Sequence, residues 1–135
     1  MESINMRVVG IIINDSKILL MRRFKNGQEY YIFPGGSIEN GETEEDALKR
    51  EIKEETSLLI ANNRKLFEVE NQGRREAYYL IKEFDGAPEI GNPEKERITE
   101  QNQYHLEWVR LSAMRELNNL YPQDAVKKLL EIPQF

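Results

Sequence analysis

The chain has 135 residues, 39% of them hydrophobic and 32% charged, which fits one domain (1–135) with a real core and is too apolar for intrinsic disorder. The absence of cysteine excludes disulfide staples, a thiolate nucleophile and a thiolate metal site. A formal charge of −5 argues against a nucleic-acid polymer as partner, since binding one rests on neutralising many phosphates, but it allows a polyanionic small molecule screened by divalent cations.

The N-terminal stretch MESINMRVVGIIINDSK carries an apolar run far too short to span a bilayer. It also lacks the basic start and small-residue cleavage site of a signal peptide, so a cytoplasmic location is expected. Two β-rich runs, 8–13 and 18–21, flank Asn14-Asp15-Ser16 and predict a hairpin. Residues 24–29 read as a polar loop with Gly27, and 30–33 as a short strand stopped by Pro34 and Gly35-Gly36. A helix is predicted over about 44–56, where Thr43 can cap with Asp46 three residues on, and Glu44 and Glu45 suit the positive end of the helix dipole. Strands over 58–70 and 76–84 turn at 71–75, and 88–103 is a long charged loop of a kind more often functional than idle. Residues 104–111 read as a last strand, and helices starting at Ser112 and Gln123 close the chain. This order gives an α+β fold class, a mixed and largely antiparallel sheet flanked by helices.

The early helix holds a run of acids that would ordinarily be a solvated face. Glu45, Asp46, Lys49, Lys53 and Thr56 do form such a face. At about 100° per residue, however, Glu51 falls on the stripe of Ala47, Leu48, Ile52 and Leu58, and Glu54 and Glu55 lie within about 60° of it. Three carboxylates held there repel one another and lose hydration unless a cation or an arginine compensates. Clustered oxygen ligands on one face suit a hard divalent ion such as Mg²⁺. Arg50 is placed to pair with one of these acids and fix its rotamer. Gly35-Gly36 admits two readings, a turn after a strand or a backbone that comes close to a metal or phosphate.

These residues, in this order, resemble the Nudix hydrolase family, whose signature is Gly, five residues, Glu, seven residues, then Arg-Glu-aliphatic-any-Glu-Glu-any-Gly-aliphatic. The chain reads Gly36, Glu42, Arg50, Glu51, Ile52, Glu54, Glu55, Ser57 and Leu58, departing only at Ser57, where the family has glycine. A chance match this good is rarer than about one in ten thousand at ordinary residue frequencies. The YIFPGG lead-in and the later LEWVRLSAM are similar to further family patterns. The resemblance implies an α/β/α sandwich and an Mg²⁺- or Mn²⁺-dependent pyrophosphohydrolase. Its substrate would be a nucleoside diphosphate linked to another moiety, cleaved by metal-activated water attack at phosphorus. It implies Glu51, Glu54 and Glu55 as the metal-binding and water-activating acids, with Glu51 the favoured base. Arg50 would orient a carboxylate, Glu42 would support loop and helix through an ion pair, and the Gly36 carbonyl would complete the metal's ligands. Ser57 stands where a left-handed backbone ends the helix, at about 1 kcal/mol. The alternative is a nucleotide-binding or regulatory domain of this fold with little or no catalysis, but such domains usually lose box acids that this chain keeps.

Family markers for ADP-ribose and dinucleoside polyphosphate hydrolases are absent from 72–75, which leaves the MutT-like type acting on nucleoside triphosphates or modified nucleotides. Candidate substrate contacts are Arg22, Arg23, Arg74 and Arg75 for phosphates, and Phe24, Tyr30, Tyr31 and Tyr78 for a base. Arg22 and Arg23 alternate on a strand, so one at most faces the site. Glu96 or Glu100 is a candidate extra acid from the loop before the last strand, and His105 is given no role. The expected partner is a small-molecule nucleotide, with no nucleic-acid polymer and no membrane; monomer and homodimer both remain open.

Overall fold

A computed structural model describes residues 6–92 and 94–133 of the chain. The readings made on residues 1–5, and the two ends of the expected 1–135 domain, lie outside the described residues.

Strands β1 (Met6–Asn14) and β2 (Lys17–Lys25) form the first predicted hairpin, paired Ile13 to Ile18 and Asn14 to Lys17. Asp15 and Ser16 both take positive φ, the turn geometry whose twist matches that of the strands. A second turn with positive φ at both residues, Asn26-Gly27, joins β2 to β3 (Gln28–Ile32), so the polar loop expected over 24–29 is strand, turn and strand. Asn-Gly is among the strongest short hairpin signals, and it outweighs the polarity of its neighbours. One of the two sequence readings of the glycine pair makes it a turn that stops the strand. Instead β4 (Gly35–Ser37) runs antiparallel to β1, with Gly36 opposite Val8. The approach is so close that a Cβ on Gly35 would stand 2.2 Å from the Val8 carbonyl oxygen.

Helix α1 (Glu44–Thr56) fills its predicted span, and the Thr43 hydroxyl accepts from the Asp46 N–H at 3.1 Å. Strands β5 (Leu59–Asn71) and β6 (Arg74–Asp85) make a long hairpin about Gln72-Gly73, and β7 (Asn102–Arg110) lies antiparallel to β2. The helix expected from Ser112 is a single turn, α2 (Leu111–Met114). Beyond it β8 (Leu120–Tyr121) joins β3 in parallel. The Asn119 carbonyl accepts from the Tyr31 N–H at 2.9 Å, and its side chain donates to the Glu29 carbonyl at 3.2 Å. Pairing with β3 overrides a weak helix propensity at Asn118-Asn119. Helix α3 (Gln123–Leu130) follows as predicted.

The strand order is β5-β6-β1-β2-β3-β8, with β4 also on β1 and β7 also on β2; β1–β6 and β3–β8 are parallel, and the other pairs antiparallel. The central strand β1 is covered on both faces, which explains its unbroken apolar run. Val9, Ile11 and Ile13 pack with Tyr78 and Leu80 beneath Ala125 and Leu129 of α3. Val8 and Ile12 pack with Ala77 and Ile81 beneath Leu48 and Ile52 of α1. Gly10 opens the space for this second layer, since a Cβ there would meet Ile52 Cδ1 at 2.8 Å. The result is helix, mixed sheet and helix in layers, with α1 seated over β1 and β4. Among the described residues no helix is long and apolar enough to cross a membrane.

Candidate active site

The start of α1 and the segment before it are locked together by one arginine. Arg50 Nε and Nη2 donate to the two oxygens of Glu42 at 2.7 and 2.8 Å, a planar fork onto a carboxylate. Nη2 also donates to the Ser37 carbonyl at 3.0 Å, and Glu42 accepts from the Glu39 N–H at 2.8 Å. The Arg50 bond and then the Glu39 amide pull the Glu42 carboxyl down to about 2. Arg50 Nη1 is shared further, donating to Glu51 at 2.9 Å and to Glu54 at 3.2 Å. Its bond to Glu42 raises the Arg50 pKa beyond its ordinary value, so it stays cationic.

The other acids are less well compensated. Glu51 is half-buried against the glycine pair, and a Cβ on Gly36 would come within 2.1 Å of its Oε2. Burial raises its carboxyl, against the pull of Arg50. Glu55 accepts from the Gly35 N–H at 3.2 Å. Burial pushes its carboxyl up to about 8 despite that bond, and the negative charges of Glu94 and Glu51 push the same way. Two placements from the helical wheel are corrected. Glu54 sits on the rim with its side chain 51% exposed, whereas Thr56, assigned to the solvent face, is buried and donates to the Ile52 carbonyl at 2.6 Å. The buried line of α1 is Ala47, Leu48, Ile52 and Thr56, so the packed stripe is rotated toward Thr56 and away from Glu54.

Ser57 closes the helix in the left-handed conformation, φ 68°, that glycine would take freely. Its N–H donates to the Lys53 carbonyl at 2.9 Å, and its hydroxyl donates to the Glu89 carbonyl at 2.9 Å. That second bond ties the following loop to the helix end. Gly91 in the same loop lies so close to α1 that a Cβ would stand 1.9 Å from the Glu54 carbonyl oxygen. The acid whose charge then reaches Glu55 is Glu94. Glu96 and Glu100, singled out from sequence, are exposed. Nothing in the sequence ranks Glu94 above its neighbours; the glycine that lets the loop approach is the only cue.

The substrate candidates separate into two groups. At the far end of β2, Arg22 pairs with Glu29 at 3.3 Å and Glu107 at 3.5 Å, and Tyr31 donates to Glu107 at 3.1 Å. Arg23 lies over the Tyr104 ring at 3.9 Å and bonds Asn102, and Phe24 is half-buried on the same strand. Tyr30 packs edge-on against Tyr121 at 6.4 Å, and His105 meets Gln103 at 3.0 Å. Near the glycine pair, Arg74 donates to Ser37 Oγ at 2.7 Å, while Arg75 points to Glu68. Tyr78 is fully buried between Phe33 and Phe67, ring centroids 5.8 and 5.0 Å away. Arg7, passed over in the sequence, lies opposite Ser37, and its charge lowers both Glu51 and Glu55. Its signal was available as the lone cation at the head of an apolar strand.

Among the described residues no three metal-binding side chains are gathered closely enough to hold an ion in this conformation. Arg50 accounts for this by drawing Glu51 and Glu54 to itself, while Glu55 turns to the Gly35 amide. The donor set nevertheless fits a hard divalent cation. It consists of oxygens alone, and it carries more negative charge than one guanidinium offsets.

Comparison with known proteins bears on the family and the fold. The family model described as the NUDIX domain matches residues 4–129. The "ADP-ribose pyrophosphatase" of Methanocaldococcus jannaschii is 53% identical over 53 residues, 38% of this chain and 31% of that one. The "8-oxo-dGTP diphosphatase" of Haemophilus influenzae is 35% identical over 86 residues, 58% of this chain and 63% of that one. The matched region is thus under two thirds of either relative's length. A solved structure from work on MutT of Aliivibrio salmonicida and Vibrio cholerae superposes with a TM-score of 0.71 at 25% identity, covering 93% of this chain and 97% of that one. With a helix of acids seated on a mixed sheet and a family match running through all the described strands, the chain belongs to the Nudix family.

Proposed function

We propose that the chain is a pyrophosphohydrolase that cleaves the phosphoric anhydride of a nucleoside diphosphate derivative, a nucleoside triphosphate or a modified nucleotide, with Mg²⁺ or Mn²⁺. The proposal takes residues 1–135 as one domain working in the cytoplasm on a small-molecule substrate. The observation that carries it is that Glu51 and Glu54 share one guanidinium already engaged by Glu42, while Glu55, held on the Gly35 amide, is left without a cation in contact and its carboxyl is pushed up to about 8. The two relatives' names share the same bond, a diphosphate joined to a nucleoside.

Glu51, Glu54 and Glu55, with the Gly36 carbonyl, would hold the divalent ion. When bound, that ion neutralises charge on phosphate oxygens and lowers the pKa of water. Glu51, half-buried beside Gly36, takes the proton from the attacking water as general base. Arg50 fixes the carboxylates of Glu51 and Glu54 side by side, and Glu42 fixes Arg50. Arg74, held on Ser37 Oγ, supplies a cation next to the glycine backbone for a phosphate. Glu94 is the loop acid best placed to join this set, ahead of Glu96 and Glu100. The positions of Arg22, Arg23, Phe24 and Tyr31 favour holding β2, β3 and β7 together over touching phosphate.

Phosphate or diphosphate release from a panel of nucleoside di- and triphosphates and nucleotide sugars tests the reading. Wild-type turnover should require Mg²⁺ or Mn²⁺, and Glu54→Gln should lower kcat by about a hundredfold or more. No turnover on any substrate would sink it, as would turnover indifferent to Glu54→Gln. Tight nucleotide binding with no turnover would instead mark a binding domain.

A further inference from the structure

Among the described residues Glu76 is the one buried charged residue, 2% exposed, and the acids of α1 make no use of it. It sits on β6 opposite Arg7 of β1, which in turn faces Ser37 of β4. Its Oε1 accepts from the Tyr78 hydroxyl at 2.8 Å. Its Oε2 accepts from Asn71 Nδ2 at 3.3 Å and stands 3.7 Å from Arg7 Nη1. These four side chains line a cavity of about 90 Å³ that Phe33 and Tyr121 supply with aromatic walls. One water needs about 10–15 Å³ on this measure, so the space suits a ring more than a single water.

The cavity adjoins the proposed phosphate segment. Val9 lines it and pairs with Gly35, and Phe33 leads through Pro34 into Gly35-Gly36. Its polar edge is held rigidly, because the Tyr78 ring is clamped by Phe33 and Phe67 and its hydroxyl is bound to Glu76. A carboxylate has about four acceptor positions and a guanidinium five N–H donors, so both keep capacity beyond the contacts above. A ring entering here meets acceptors from Glu76 directly beside donors from Arg7. Guanine presents the complementary order, N–H donors on N1 and the 2-amino group next to a carbonyl oxygen. Adenine has a single amino donor there and no carbonyl, which would leave buried polar groups unpaired.

Building on the hydrolase reading, we propose that Glu76 and Arg7 select the base of the nucleotide. Glu76 accepts from the N–H donors of the base, Arg7 donates to its neighbouring carbonyl oxygen, and guanine-type bases are preferred to adenine. The test measures calorimetric binding of GMP, IMP and AMP to the metal-free chain, together with kcat/KM for GTP, ITP and ATP with Mg²⁺. GMP should bind about tenfold or more tighter than AMP, with IMP, which lacks the 2-amino donor, between them, and kcat/KM should follow the same order. Glu76→Gln should shrink the GMP-to-AMP ratio to below about threefold. Arg7→Met, at a half-buried position, should do the same and serves if the buried substitution unfolds the chain. Equal affinity for GMP and AMP, or a preference that survives both variants, overturns base selection even where triphosphates are turned over. A guanine preference that the variants abolish, in a chain with no turnover, upholds selection and removes the hydrolase reading alone.

Discussion

Glu42 stands just before α1 and Glu55 near its end, and their surroundings drive them in opposite directions. Glu42 receives two bonds from Arg50 and one from the Glu39 amide, and its carboxyl falls to about 2. Glu55 receives one bond from the Gly35 amide, faces Glu94 and Glu51, and rises to about 8. The first acid has its partner within the fold and acts as architecture. The second has been buried with too little positive charge nearby, which is the condition a cationic ligand relieves.

The largest expected effect comes from removing the arginine that gives Glu42 its partner. Arg50→Met strands Glu42, Glu51 and Glu54 together and should lower stability by about 2 kcal/mol in urea unfolding. An unfolding midpoint unchanged by the substitution would mean that the Glu42 fork contributes little to the fold.

A smaller and more diagnostic effect lies in pH. The folded pKa of Glu55, about 8, exceeds its unfolded value near 4.3. Ionisation therefore works against the metal-free fold, and stability should fall as pH climbs from about 4.5 to about 8, then level off. Glu55→Gln should flatten that limb in thermal melts, and Mg²⁺ should reverse it in the wild type only. Glu42 has the opposite sign: its contribution is present above about 4.5 and is lost as pH drops toward about 2, so the acid limb should persist in Glu55→Gln. An unchanged alkaline limb in that variant would remove Glu55 as the source of the contrast.

The smallest expected effect is at Ser57. Ser57→Ala keeps the left-handed strain and loses the bond to Glu89, at about 1 kcal/mol by chemical denaturation. Ser57→Gly loses the same bond but relieves the strain, and should fall within about 0.5 kcal/mol of wild type. If Ala and Gly behave alike, the serine is not compensating for the missing glycine.

Local signals carried the reading of the sequence furthest. The Thr43 cap, the apolar stripe and the left-handed stop at residue 57 bound α1 correctly, because each acts within one turn of helix. The Asn14–Ser16 turn was read from its residues, whereas Asn26-Gly27 was lost inside a polar run although the same chemistry was present. Long-range choices were not legible. The parallel pairing of β1 with β6, the abandonment of helix after Met114 and the approach of Glu94 all depend on which distant backbone offers a partner. The helical wheel placed Glu51 and Glu55 inward but missed the rotation of the packed stripe of α1, which the buried Thr56 reveals and which leaves Glu54 on the rim.

The parallel register of β1 on β6 also has a consequence for the order of folding. The hairpins β1–β2, β2–β3 and β5–β6 close over short turns, but bringing residue 7 beside residue 76 requires closing about half of the chain into one loop. Glu76 and Arg7 are brought together by that late pairing, so the cavity they line is expected to be among the last parts of the molecule to acquire its native form. A chain released before β6 has paired with β1 would carry a formed acidic helix and no base pocket, and the β1 edge left open would be the surface exposed to misassembly.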